Sequence, residues 1–245
     1  MKKNLKRRDF IKKAGLAGAA ATAVSSFAAP AIAAGHQEWI ICSAFGKAGL
    51  LGQAIQAFAD NINSYSDKLK IKVYHAGELV PGLESLDAVR SGAAQASYGA
   101  PYYWTNLSDA IEFVATCPFG MNAMEQNAWC YYGGGIEEAD KIYNALGLKF
   151  LPMGNTGNQM GGWFNKEINT PDDYKGLKMR MPGLGGRTIE KLGATPVLLA
   201  GPDVLPSLAS GAVDAAEWIC PAADLGAGLY QAAKFYYGPG WHEPS

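Results

Sequence analysis

The sequence predicts an α/β fold made of two related lobes that face each other across a cleft. Segments typical of strands and helices alternate over residues 38–99, which is the order of a parallel sheet with right-handed crossovers. The same alternation returns over residues 163–218. Two segments, 84–96 and 203–215, can also be aligned with each other, which predicts that the two halves share a structure.

The first half contains apolar runs of both helical and strand period. Leu51, Ile55 and Phe58 recur at the spacing of a buried helix face, whereas residues 69–74 alternate as a strand does. The predicted elements are strands over 38–44, 69–74 and 94–99, and helices over 50–62 and 83–91. Further along, helices are predicted over 124–132 and 136–146, followed by a strand over 148–153.

The second half repeats this order with shorter elements. A strand ends at Trp163-Phe164, and Pro171 opens a capped turn or short helix. The predicted elements that follow are strands over 177–180, 195–198 and 212–218, separated by helices over 184–192 and 204–210.

When 84–96 is aligned with 203–215, the same features fall at the same positions in both copies. They are an acid, a Leu, a further aliphatic residue, Ser-Gly-Ala and a final Ala. In both copies a helix would end at glycine before a strand of small residues. Chance agreement among common residues is the alternative explanation. If the copies are real, residues 98–103 and 217–218 lie on opposite walls of the cleft.

Residues 1–34 have the pattern of an export signal. A basic segment leads into a run rich in Ala and Gly, and small residues suited to cleavage lie near Ala33 and Ala34. Arg7-Arg8 resembles a twin-arginine signal, although Lys6 and Ile11 depart from the usual pattern. A short amphipathic helix is the alternative. We therefore expect a signal peptide over 1–34 and a binding domain over 35–245.

The charge balance bears on the partners of the exported chain. Removal of the signal leaves 14 basic and 21 acidic residues, a formal net charge of −7. Such a surface argues against nucleic acid or an anionic membrane as a partner.

The cysteines lack C-x-x-C spacing and a nearby His pair, which argues against a zinc or thioredoxin-like site. A Cys117–Cys130 disulfide and buried free thiols both remain open.

Four candidate site residues lie at the ends of short apolar runs, each close to a Gly- or Pro-rich turn. They are Gln159, Arg180, Glu217 and Trp218. Open α/β sheets bind ligands at such strand ends. An Arg can hold a carboxylate with two parallel hydrogen bonds, and Glu and Gln oxygens can hold a cation beside it. The pattern therefore predicts a site that binds a small anion.

Each candidate also has a purely structural explanation. Arg180 could form a surface salt bridge, and Gln159 could cap a turn. Trp218 could belong to the core. Glu217 has no adjacent cation in the sequence, which makes a structural role costly and favours a binding role. Arg187, on the helix predicted over 184–192, is expected to face water.

Enzymatic motifs are missing from the sequence. It contains no G-x-S-x-G, no H-E-x-x-H, no P-loop and no dinucleotide fingerprint, and no His is paired with a nucleophile. We therefore expect a binding protein rather than an enzyme.

Five stretches of the chain resemble one known family in order and spacing. These are 84–92, 162–164, 176–180, 192–194 and 211–218. The chain is similar to the extracytoplasmic solute-binding subunits of tripartite ATP-independent periplasmic (TRAP) transporters, in the branch that binds 2-oxo monocarboxylates such as pyruvate. The resemblance covers nearly all of 38–245 and implies a type II periplasmic-binding-protein-like fold.

The resemblance also implies roles for single residues. Arg180 would grip the ligand carboxylate. Gln159, Glu217 and the backbone carbonyl of Trp218 would surround a metal ion that bridges to the carboxylate and the 2-oxo oxygen. Sodium is the expected ion, with calcium as the alternative. Gln159 and Trp218 would also line the substrate pocket, as would Glu243 and, with less support, Tyr103.

The implied partners are a small carboxylate ligand and the membrane permease subunits, in the periplasm. A homodimer is left open for the full-length chain. Family members usually continue beyond the position of Ser245, so the C-terminal part of the family domain is expected to be missing. The alternatives to uptake are an exported ligand sensor and a cofactor-dependent exported enzyme.

Overall fold

The computed structural model describes residues 35–241. The first lobe holds a three-stranded parallel sheet in the order β2-β1-β3. Its elements are β1 (Gln37–Ser43), α1 (Leu50–Tyr65), β2 (Leu69–Tyr74), α2 (Ser85–Arg90) and β3 (Ala96–Tyr98). Ile55 and Ala59 on α1 pack against Ile41 and Ile71, because the helix buries one apolar face against the sheet.

A helical segment follows the first sheet. It contains 3-10 turns over Pro101–Trp104 and Asp109–Val114, then α3 (Ala123–Tyr132) and α4 (Gly135–Ala145). Asn122 and Glu125 form a capping box that begins α3.

The strand predicted over 148–153 is wrong. Within residues 35–241 this segment joins neither sheet. Leu148 and Phe150 instead pack beside Tyr143 of α4, and the Phe150 N–H donates to Asp140 Oδ1 at 3.3 Å. The apolar run is therefore explained by contact with a helix rather than by pairing with a strand.

The second lobe holds a five-stranded sheet in the order β6-β5-β7-β4-β8. Its elements are β4 (Gly162–Phe164), β5 (Lys178–Arg180), α5 (Gly183–Lys191), β6 (Thr195–Val197), α6 (Gly201–Ser210), β7 (Ala215–Ala216), α7 (Pro221–Ala227) and β8 (Phe235–Tyr237). Strands β6, β5 and β7 are parallel, and β4 is antiparallel to both of its neighbours.

The two lobes share the topology that the internal alignment predicts. The β-α-β-α-β unit gives the order β2-β1-β3 in one lobe and β6-β5-β7 in the other. Gly92 and Gly211 follow the corresponding helices with φ of 79° and 74°, a conformation that glycine adopts without strain. Strand β7 is shorter than the predicted 212–218, because the chain leaves the sheet at Glu217.

The lobes are in contact at several points. A Cβ on Gly183, whose φ is +58°, would lie 2.8 Å from Cβ of Tyr102, and one on Gly46 would lie 3.2 Å from Cγ of Pro202. These approaches show a closed arrangement. Within residues 35–241, no helix combines the length and apolar content needed to cross a membrane.

Candidate functional site

Arg180 lies at the carboxyl end of β5 and is 1% exposed. Its Nη1 donates to the backbone oxygen of Glu217 at 2.7 Å and to Glu217 Oε2 at 2.9 Å, and its Nε donates to the Leu199 carbonyl at 3.4 Å. A buried guanidinium needs such partners. They fix its plane and leave Nη2 directed toward the first lobe.

Tyr103 brings the first lobe to the same guanidinium. Arg180 Nη2 donates to the Tyr103 hydroxyl at 3.3 Å. Burial lowers the pKa of Arg180, but Tyr103 and Glu217 raise it by more, so the pKa lies above its usual value. Burial also raises the pKa of Tyr103. The pair therefore keeps a full positive charge on Arg180 and a neutral hydroxyl beside it.

Trp218 covers one face of this centre. The Arg180 Cζ atom lies 5.0 Å from the centroid of the Trp218 ring, within cation–π range. Phe45 of the first lobe meets the same ring edge-to-face at 6.4 Å between centroids. A Cβ on Gly201 would lie 2.6 Å from the ring, so only glycine leaves room for it there.

The structure corrects the reasoning about Glu217. The sequence shows no cation near this residue along the chain, yet the fold places Arg180 against it, and Glu217 is only 2% exposed. The pair joins residues 37 positions apart, on β5 and just after β7, which are neighbouring parallel strands. Glu217 therefore has a structural partner, and its burial alone does not indicate a ligand.

Three oxygen atoms meet beside this ion pair. When the Gln159 amide nitrogen donates to Thr156 Oγ1 at 2.7 Å, the amide oxygen faces Glu217 Oε1 at 2.6 Å and the Trp218 carbonyl at 3.3 Å. The reversed amide would instead donate to both of those oxygens. Acceptors that converge in this way repel one another unless a donor or a cation lies among them.

The donor set fits a hard cation. Sodium and calcium take carboxylate, amide and backbone carbonyl oxygens, which are the three types present here. Among residues 35–241, no group of three or more His, Cys, Asp and Glu side chains could hold a metal ion. The mixed set of Gln159, Glu217 and Trp218 oxygens is the candidate for holding a cation.

A small cavity of about 10 Å³, roughly the space of one water molecule, lies beside the guanidinium. Both lobes line it. The lining residues are Phe45, Leu51, Tyr102 and Tyr103 from the first lobe, and Thr156, Gln159, Arg180, Trp218 and Ile219 from the remainder. A wall with four aromatic side chains and one cationic side chain suits a small organic anion.

The structure brings Gln159, Arg180, Glu217 and Trp218 together, as the strand-end pattern predicts. Glu243 lies outside the described residues, as does the predicted signal peptide over 1–34. Sequence reasoning missed Phe45 and Thr156. Phe45 could have been found, because it too follows a buried strand at its carboxyl end.

Arg187 does not simply face water. Its Nη2 lies 2.7 Å from Asp109 Oδ1 and 2.6 Å from Glu112 Oε1, and both acids belong to the first lobe. Its side chain is half-exposed, whereas Glu112 is 1% exposed. The expectation for Arg187 is corrected: the residue joins the two lobes beside the cleft.

The four cysteines are free thiols. Cys42 and Cys130 are buried, and Cys117 and Cys220 are partly buried. Of the two readings left open by the sequence, the structure shows the free thiols and not the Cys117–Cys130 disulfide.

One family model and several known proteins resemble the chain over most of its length. The model described as bacterial extracellular solute-binding protein, family 7, matches residues 44–245. A monocarboxylate 2-oxoacid-binding periplasmic protein of Nostoc sp. (strain PCC 7120) is 42% identical over 247 residues. That match covers 98% of this chain and 67% of the Nostoc protein.

Two solved structures share the fold of this chain. A TRAP periplasmic solute-binding protein from Pseudoalteromonas atlantica, with bound sodium and pyruvate, is 40% identical and has a TM-score of 0.81. One from Colwellia psychrerythraea, with bound calcium and pyruvate, is 40% identical with a TM-score of 0.80. Each match covers 85% of this chain and 64% of the other, so the chain spans slightly less than two thirds of their length.

Proposed function

Because the chain belongs to family 7 of the bacterial extracellular solute-binding proteins, the solute-binding subunits of TRAP transporters, we propose that it captures a small 2-oxo monocarboxylate in the periplasm. The proposed ligand resembles pyruvate. The relatives described above with bound pyruvate, or with a 2-oxoacid-binding description, support this choice of substrate class.

The buried Arg180 is the observation that carries the proposal. It is 1% exposed, borders a cavity lined by both lobes, and donates from Nη2 across the cleft to the Tyr103 hydroxyl at 3.3 Å. A carboxylate entering the cavity would meet a charge whose plane is already fixed. Such preorganisation favours binding, because little freedom is lost when the ligand arrives.

A single cationic side chain favours a monocarboxylate. Arg180 is the only Arg or Lys among the residues that line the cavity in the described part of the chain. A dicarboxylate would bury a second charge without a partner, at a cost of several kcal/mol. The single cationic side chain at this cavity supports a monocarboxylate as the proposed ligand.

The residues proposed to hold a cation are Gln159, Glu217 and Trp218, the last through its carbonyl. The ion would supply positive charge that orients a 2-oxo acid through its carboxylate and oxo oxygens. Sodium is proposed as the resident ion and calcium as the alternative, since the two pyruvate-bound relatives hold one each. Gln159 would turn its amide oxygen to the ion while its amide nitrogen faces Thr156, and in the reversed orientation the nitrogen donates to Glu217 Oε1 and the Trp218 carbonyl.

Closure of the lobes is the proposed response to ligand. Contacts from Tyr103 and Phe45 on one side and from Arg180 and Trp218 on the other exist together only when the cleft is shut. The closed form would then deliver the acid to the membrane permease subunits of a TRAP transporter. The twin-arginine route is proposed for export of the chain, and a homodimer for the full-length protein.

Two other functions are kept as alternatives. A ligand sensor would use the same pocket and present its closed form to a receptor, and a neighbouring pair of permease genes would favour uptake instead. A cofactor-dependent exported enzyme would need a reactive group at the site. The cavity-lining residues are aromatic, aliphatic, amide, hydroxyl and guanidinium groups, which favour binding without chemistry.

Calorimetric titration of the protein with pyruvate, lactate, 2-oxobutyrate and succinate tests the proposal. We expect pyruvate or 2-oxobutyrate to bind most tightly, lactate less tightly, and succinate at least ten-fold more weakly, because its second carboxylate lacks a cation. Succinate binding as tight as pyruvate binding would contradict the monocarboxylate assignment.

A further inference from the structure

Asp224 lies behind the three-oxygen cluster and touches the same backbone. The Trp218 carbonyl and the Ile219 N–H belong to one peptide unit, and in a trans peptide these two groups point in opposite directions. The Ile219 N–H donates to Asp224 Oδ1 at 2.9 Å. The hydrogen bond at one edge of the peptide unit therefore sets the direction of the carbonyl at the opposite edge.

Asp224 is itself held firmly. It is 0% exposed and lies in the first turn of α7, where its own N–H donates to the Cys220 carbonyl at 2.9 Å. Its second oxygen, Oδ2, accepts from Trp163 Nε1 at 3.0 Å. The Trp163 ring stacks on Tyr236 with 4.1 Å between centroids. A carboxylate anchored at both oxygens can hold a peptide plane in one orientation.

The neighbouring backbone is tied down as well. The Ile219 carbonyl accepts from the Met160 N–H at 2.8 Å, and the Glu217 N–H donates to the Arg180 carbonyl at 3.0 Å. These bonds fix the ends of the segment 217–219, and Asp224 fixes the peptide plane between them. Segment 217–219 supplies two of the three oxygens in the cluster, from Glu217 and Trp218.

We propose that Asp224 is a positioning residue of the cation site, which orients the 218–219 peptide so that the Trp218 carbonyl faces the ion. Its negative charge also polarises that amide and strengthens the carbonyl as an electron donor. Groups that orient metal ligands from behind typically affect metal affinity by about 10- to 100-fold. This inference rests on the proposed function, since it concerns the same cation.

A residue that only stabilised the lobe would behave differently. Its loss would lower the melting temperature and weaken ligand binding at every cation concentration. A positioning residue instead shifts the cation concentration at which binding appears. The dependence of pyruvate affinity on cation concentration therefore separates the two roles.

The experiment compares wild type, Asp224→Asn and Asp214→Asn by calorimetric titration with pyruvate over a calcium series and a sodium series. Asp214 is a matched control, because its Oδ2 also accepts from a backbone N–H of the second lobe, that of Lys178 at 2.8 Å, and it does not line the cavity. Calcium-induced shifts in melting temperature give a second measure of cation binding without pyruvate.

We expect Asp224→Asn to raise the half-saturating cation concentration by about ten-fold or more, because the neutral amide loses the charge and its one oxygen cannot accept from both Ile219 and Trp163. The change in pyruvate affinity at saturating cation should be smaller. Asp214→Asn should match wild type. Circular dichroism reports whether Asp224→Asn folds; if it does not, Trp163→Phe removes the donor to Oδ2 while keeping an aromatic ring beside Tyr236, and it should give a smaller shift in the same direction.

Two negative outcomes have different meanings. If wild-type binding depends on the cation and the folded variant has an unchanged cation dependence, the role of Asp224 is overturned and the proposed function stands. If wild-type binding does not depend on any cation, the cation assignment in the proposed function falls, and the role of Asp224 falls with it.

Discussion

Arg180 shows at the scale of one residue how burial and function are linked. Its guanidinium is neutralised by Glu217 and shielded by Trp218, and it keeps one nitrogen for contacts across the cleft. Removing either member of such a pair leaves the other as an uncompensated buried charge. The pair that shapes the site is therefore also a pair on which the folded lobe depends.

Replacement of Arg180 tests its role directly. Arg180→Ala should weaken pyruvate binding by about 2–5 kcal/mol, because both the ligand carboxylate and Glu217 lose their cationic partner. Arg180→Lys keeps the charge but lacks the planar fork that reaches both Glu217 and Tyr103, so an intermediate loss is expected. Titration calorimetry measures both, and circular dichroism confirms folding. Wild-type affinity in the folded Arg180→Ala variant would remove Arg180 from the site.

At the scale of elements, α5 connects the lobes through a surface ion pair. Arg187 on α5 reaches Asp109 and Glu112 in the turn Asp109–Val114 of the first lobe. Glu112 is 1% exposed, and its Oε2 has no hydrogen-bond partner. Arg187 is therefore the main partner of the buried Glu112 carboxylate. These contacts exist only while the cleft is closed, so they contribute to the closed form.

The variant Arg187→Ala should therefore bind pyruvate more weakly, although Arg187 is not among the residues that line the cavity. The Arg187 side chain is half-exposed, so solvent screens the ion pair and we expect only a small loss of affinity. Arg90→Ala is a suitable control, because Arg90 pairs with Asp87 inside its own helix. Equal affinities for the two variants would show that the ion pair does not favour closure.

A helix or strand can be predicted from the sequence when its pattern is visible in neighbouring residues along the chain. Strand β2 was predicted at its observed bounds, because alternation and flanking turns are visible along the chain. Helix α7 was not predicted, since Pro221–Ala227 is short and lacks an apolar period. The segment 148–153 was assigned to a strand because of its apolar run. Its apolar residues instead pack beside helix α4, and no local pattern in the sequence shows that contact.

The candidate site was predicted residue by residue but not as a set of contacts. Arg180 and Glu217 each have a strand-end signal, yet their ion pair depends on β5 and β7 lying side by side. The same is true of Tyr103 and Arg180, which belong to different lobes. The binding roles of these residues, and that of Glu243, stay predictions.

The whole molecule combines two β-α-β-α-β units of the same topology, with the ends of equivalent strands facing one cavity. The internal alignment of 84–96 with 203–215 predicted this arrangement, and the two-lobed α/β fold is confirmed by the solved relatives. Facing strand ends allow a ligand to contact both lobes at once, which couples binding to closure.

Our central claim is that a guanidinium and a cation together hold one small organic acid between the lobes. The most direct test is calorimetric titration of the wild-type protein with pyruvate after removal of metal ions, then at rising sodium and at rising calcium. We predict that affinity rises with cation concentration until one site is saturated, and that pyruvate raises cation affinity by the same factor. Equal pyruvate affinity with and without cations would contradict the account.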